Sequence, residues 1–154
     1  MRKKIYVTVQ KSIVWKIIKE KKLNGPFGKT AKVRVVCGIQ LGKCFYGENW
    51  GGKSKKEQEE YAYNSRLKGV LIDFSKKNNL KIDKIPSRVY DAYGQSYNLG
   101  TCAEDDAASK LLNFYAEKKH KFIDVEHLVF SSALDPKTMK NVKYCITCKT
   151  IFDL

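Results

Sequence analysis

Residues 101–115 read Thr-Cys-Ala-Glu-Asp-Asp-Ala-Ala-Ser-Lys-Leu-Leu-Asn-Phe-Tyr. Ala107, Ala108, Leu111, Leu112 and Tyr115 recur at three- and four-residue steps, so the stretch predicts a helix that buries one face. It begins after Thr101. Thr101-x-x-Glu104 has the capping-box spacing, in which Glu104 accepts the Thr101 backbone N–H and does nothing else. Cys102 lies inside that box, at the helix N-terminus, where unpaired N–H groups and the helix dipole favour a thiolate.

A second pair of thiols stands near the other end of the sequence, as Cys145-Ile146-Thr147-Cys148 at the start of a short terminal helix. Five cysteines, an odd number, with a Cys-x-x-Cys and no secretory h-region after Met1-Arg2-Lys3-Lys4, point to metal or redox chemistry rather than a disulfide framework. Three thiolates suit Zn²⁺, which takes four ligands. Cys102, Cys145 and Cys148 leave one position for water, as a catalytic site requires. Glu104, two residues past Cys102, is then placed to accept and return the water proton. Two other readings stay open at this point. A redox pair would precede a long helix. A closed structural site, with Cys44 or His127 as fourth ligand, would make the chain a zinc-stabilised nucleic-acid-binding module.

Upstream, Ala31, Val33, Val35, Cys37 and Ile39 alternate with polar residues, the clearest strand in the sequence. A turn at Leu41-Gly42-Lys43 joins it to Lys43–Tyr46 as a hairpin. Ile5 to Val9 predicts a short strand, residues 12–22 an amphipathic helix, and residues 24–28 a loop. Ser54-x-x-Glu57 is a capping box from which one long helix runs to about Lys77. Residues 78–100 carry Pro86, Gly94 and Gly100 and predict irregular chain. Residues 122–130 predict a strand, followed by a loop through Pro136. Cys37 shares a face with Val35 and Ile39 and reads as core, and His120 reads as a structural helix-end cation. The order implies an α/β layered domain over residues 1–154, a small mixed sheet of hairpin plus strand with helices packed on it.

The Cys-x-Glu and Cys-x-x-Cys elements together resemble the zinc-dependent nucleobase deaminases, whose pattern is (His/Cys)-x-Glu and a later Pro-Cys-x-x-Cys. Phe45-Tyr46-Gly47-Glu48-Asn49 is similar to the Phe-x-Gly-x-Asn stretch of cytidine deaminases. The resemblance spans about residues 30–154 and implies a cytidine deaminase-like fold. It implies Glu104 as proton carrier, Cys102, Cys145 and Cys148 as zinc ligands, and Asn49 on the sugar of the target nucleoside. The backbone at Ala103 would meet the base edge. Trp50 and Tyr46 flank Asn49 and would stack on a flipped base, or else cover the sheet edge. Cytosine is the implied base, with adenine in RNA or a nucleotide as the alternative. A small basic domain with Cys-Ala-Glu looks most like the deaminase domains of bacterial polymorphic toxins. That likeness implies a cytoplasmic site of action, delivery as a toxin and an acidic immunity partner. The sequence departs from the pattern in three places. Tyr144 stands where the family has Pro. Six residues follow Cys148, so the sheet is expected to be minimal or completed by the strand around Tyr6. Residues 51–97 form an insertion.

Charge agrees with a polyanionic partner. The 154 residues carry 30 basic and 16 acidic side chains, a net charge of +14. Residues 1–60 hold +10 of it and residues 61–154 only +4. The expected partner is nucleic acid, DNA ahead of RNA. The basic N-terminal third (a strand and helix within residues 1–30, then the hairpin) would follow phosphates. Tyr90, Tyr93 and Tyr97, in a run with Arg88 and Gln95, would border the pocket mouth or simply line a loop. Hydrophobic residues make up 43% of the chain, enough for a core, so wholesale disorder is excluded. No apolar run approaches the length of a membrane span.

Overall fold

The structure, a computed structural model, describes residues 35–40, 43–125, 128–130, 133–135 and 140–154. The strand and helix expected within residues 1–30 lie outside the described residues. The remaining chain is mixed α/β. Its elements run β1 (Val35–Gln40), β2 (Lys43–Glu48), a 3-10 turn (Trp50–Gly52), α1 (Lys55–Glu59), α2 (Ser65–Lys77), β3 (Ser87–Tyr90) and β4 (Ser96–Leu99). There follow α3 (Ala103–Lys119), β5 (Val129–Phe130), β6 (Ala133–Leu134), β7 (Asn141–Val142) and α4 (Ile146–Phe152).

Within the described residues, the hairpin read from the alternation at 31–46 pairs residues 35–40 with 43–48, Val35 opposite Glu48 and Gln40 opposite Lys43. On its other edge β1 pairs with β5 (Gly38 opposite Phe130) and with β6 (Val35 opposite Leu134). β6 also pairs with β7, giving the order β2-β1-β6-β7 with β5 also on β1. Every described pairing is antiparallel, where the sequence predicts a mixed sheet. The cause is connectivity. Two hairpins and a return through α3 that lands antiparallel to β1 leave no parallel neighbour among these strands.

Three further differences have local causes. The long helix expected from 54 to 77 is two helices. Ser54 and Glu57 do form the capping box of α1, but Asn64 caps a new helix by accepting from Arg66 N–H and Leu67 N–H, both at 3.1 Å. Tyr61 to Asn64 between them is non-helical. Residues 78–100 are not all irregular: β3 and β4 pair as a separate hairpin, with Val89 opposite Tyr97. The loop expected through Pro136 is flanked by two short paired strands, β6 and β7, while Pro136 itself lies outside the described residues.

α3 sits at the centre. Ala107, Ala108 and Leu111 are fully buried, with Leu112 and Tyr115 beside them. α2 contributes Leu67, Leu71 and Phe74, and α4 contributes Ile151 and Phe152, whose ring lies 4.6 Å from that of Phe130. β2 approaches the first turn of α3 so closely that a Cβ on Gly47 would fall 2.0 Å from the Ala103 carbonyl oxygen and 2.4 Å from the Ala107 nitrogen. Glycine at 47, opposite alanines at 103 and 107, is the condition for that contact. His120 ends α3 in the left-handed region, φ 49°.

Candidate metal centre and its cavity

The N-cap of α3 is Cys102, one residue later than the sequence predicts. The carboxylate closing its capping box is that of Asp105, which accepts from Cys102 N–H at 3.3 Å. Glu104 is thus not the capping residue, although it is buried, at 4% exposure. The N-cap of α4 is Cys145, whose sulfur accepts from Cys148 N–H at 3.4 Å. Phe130, Ile151, Phe152 and Leu99 belong to one core with both cysteine segments, which is how two helix starts 43 residues apart are brought face to face.

The Sγ atoms of Cys102, Cys145 and Cys148 lie within 4.8 Å of one another, and those of Cys102 and Cys145 are 3.2 Å apart. A tetrahedral ion with bonds of about 2.3 Å spaces its sulfurs by roughly 3.8 Å, so the cluster can hold a metal ion. All three thiols are free. Their titration behaves as one unit. The Cys145 thiol is lowered because the Cys102 and Cys148 thiols and two backbone N–H groups donate to its thiolate. Cys102 is raised mainly by its hydrogen bond with Cys145, and Cys148 mainly by its hydrogen bonds with Cys102 and then Cys145. Such a cluster keeps one thiolate ready, and a dication displaces the remaining protons. Asp105 lies behind the sulfurs, fully buried, with Oδ2 3.9 Å from Cys148 Sγ. Burial and the Cys145 charge push its carboxyl well up. The fourth ligand that a closed site would need was expected at Cys44 or His127. Neither side chain is among the described ones, and among the described residues the cluster has three ligands.

A cavity of about 350 Å³ opens beside Cys102 and Cys145. Asn49, Trp50, Ala103 and Glu104 line it, four of the residues singled out from the sequence. Tyr46 does not. Its ring takes the Lys110 ammonium at 4.9 Å, on the outer flank of α3. The Asn49 carbonyl oxygen Oδ1 is buried and has no hydrogen-bond partner among the described residues, an acceptor that a ligand hydroxyl can satisfy. The backbone on either side of Asn49 is held to the start of α3. Glu48 N–H donates to Asp106 Oδ2 at 2.8 Å, and Trp50 N–H donates to the Thr101 carbonyl at 2.8 Å.

The sequence did not single out Asp106 or Asn98. Asp106 is 4% exposed and also binds Lys53 Nζ at 3.0 Å, Lys110 Nζ at 3.1 Å and the Tyr61 hydroxyl. Burial and the Asp106 charge keep Tyr61 protonated as that donor. The signal was the triple acid Glu104-Asp105-Asp106 in a lysine-rich chain: three consecutive residues at a helix start cannot all face water when the helix is buried. Arg88 and Asn98 come from the β3–β4 hairpin, pair at 3.0 Å and also line the cavity. Tyr90 and Tyr93 of that hairpin are exposed and do not line it. No described helix is long and apolar enough to cross a membrane.

Comparison of the chain with protein-family models, with curated proteins and with solved structures finds no match.

Proposed function

We propose that the protein is a zinc-dependent hydrolytic deaminase acting on a nucleobase, cytosine first, within nucleic acid. One observation carries the reading. Glu104 and Asn49 line the same cavity as Cys102 and Cys145, two of the three cysteines that could hold a metal ion, which supports Glu104 as proton carrier and Asn49 as the sugar contact. Cys102, Cys145 and Cys148 would hold the ion. Zinc bound there supplies Lewis-acid activation of water at neutral pH. Glu104 takes the water proton on its carboxylate. It then delivers protons to the exocyclic nitrogen, which leaves as ammonia while the amidine carbon becomes a carbonyl. Asn49 Oδ1 accepts a sugar hydroxyl and fixes the base over Glu104. The Ala103 backbone meets the base edge, and Trp50 bounds the base plane. The +14 charge suits a polynucleotide and, for a toxin domain, an acidic immunity partner.

The test is Glu104→Gln. The variant should bind one equivalent of zinc, as wild type does, and release ammonia from a cytosine-containing single strand at least about 10²-fold more slowly. Undiminished release from that variant overturns the mechanism.

A further inference from the structure

Trp50 lines a second cavity as well, of about 550 Å³, and its remaining walls come from residues 55–86, inside the insertion that the deaminase pattern leaves unexplained. Three lysines, Lys55, Lys68 and Lys84, stand around it against one carboxylate, Glu59. All three are exposed. An aromatic row runs along it. The Trp50 and Tyr61 ring centroids are 5.5 Å apart and edge-on, and those of Tyr61 and Tyr63 are 5.9 Å apart. The Tyr63 hydroxyl is buried without a hydrogen-bond partner among the described residues. Cations beside an aromatic row are the two components that single-strand binders combine, phosphate neutralisation and base stacking. The two cavities share Trp50 as a lining residue, so they adjoin each other.

We infer that this second cavity is a subsite for the nucleotide adjoining the target in a single strand. Lys55, Lys68 and Lys84 pair with its phosphates, and Trp50, Tyr61 and Tyr63 carry its base. The inference rests on the deaminase reading for which nucleotide is the target, but binding can be measured without turnover. It also gives the 51–97 insertion a purpose, which is to turn a pocket for one base into a track for a strand.

The experiment measures fluorescence anisotropy of labelled single-stranded oligonucleotides, deoxy and ribo, each with one cytosine, on the zinc-loaded full chain across a salt series. K55E/K68E/K84E should weaken binding at least about tenfold and lower the slope of log affinity on log salt by about 2, three contacts at roughly 0.7 each. The control K76E/K118E/K119E reverses three exposed lysines that line neither cavity, and should weaken binding much less. Melting curves and zinc content establish that both variants are folded. The subsite is overturned if the wild type binds neither oligonucleotide, if the cavity variant binds as wild type does, or if both variants lose affinity equally. Selective loss in the cavity variant, with no ammonia released by the wild type from either strand, upholds the subsite and removes the deaminase reading.

Discussion

Gly47 and Asp106 fix how close the Asn49 segment comes to the cysteine helix. A methyl group at 47 has backbone atoms of Ala103 and Ala107 in its place, and backbone cannot rotate away. Gly47→Ala should therefore cost about 3 kcal/mol in denaturant unfolding, the upper end for overpacking. An unchanged midpoint would mean that β2 does not pack there. Asp106 neutralises Lys53, whose side chain is 7% exposed. Asp106→Leu leaves that ammonium buried and unpaired and should cost about 3–5 kcal/mol. D106L/K53M should recover the part due to the buried ammonium, and the remainder belongs to the Glu48 N–H and the Tyr61 hydroxyl, which lose the same acceptor. Cys102, Cys145, Cys148 and Glu104 could be singled out from the sequence because the chemistry proposed for them depends on residue type and spacing alone. Asp106 was marked only by its place in a run of three acids, and its partners were not, because an acid in the first turn of a helix ordinarily serves the dipole. Only the fold brings Lys53, Tyr61 and Glu48 to it. The one-residue shift of the cap from Thr101 to Cys102 has a similar origin: two overlapping capping boxes are present, and packing chooses Asp105.

Among the elements, the β1–β2 hairpin, α3 and α4 were readable because each carries a sustained period or a cysteine-marked start. β3 and β4 have four residues each, and β5, β6 and β7 two each, too short for alternation to register. The break between α1 and α2 was hidden because the helical pattern runs through it. It is enforced by Asn64, which caps α2, donates its own N–H to Ser109 Oγ at 2.7 Å and reaches Asn113 at 2.8 Å. Asn64→Ala should lower stability by about 1–2 kcal/mol, read from thermal or denaturant unfolding. α3 and α4 meet through their cysteine caps, so a metal ion held by the three sulfurs would clasp the two elements together. Stripping it with a chelator should lower the melting temperature by at least about 10 °C, given what zinc contributes to thiolate sites. A melting temperature indifferent to chelation would mean that the cluster holds no ion in solution.

For the whole molecule, charge and site point the same way. The described core is alanine- and leucine-rich, while three lysines stand exposed around the second cavity. Oligonucleotide affinity should fall steeply between low and physiological salt, whereas affinity for a single nucleoside should change little. The central claim is that Cys102, Cys145 and Cys148 hold one ion with one coordination position open beside Glu104. X-ray absorption at the zinc edge of the purified, metal-loaded chain reads this directly. The account predicts three sulfur scatterers at about 2.3 Å and one oxygen at about 2.0 Å. Four sulfurs, or three sulfurs and an imidazole nitrogen, would contradict it and make the centre a closed structural site.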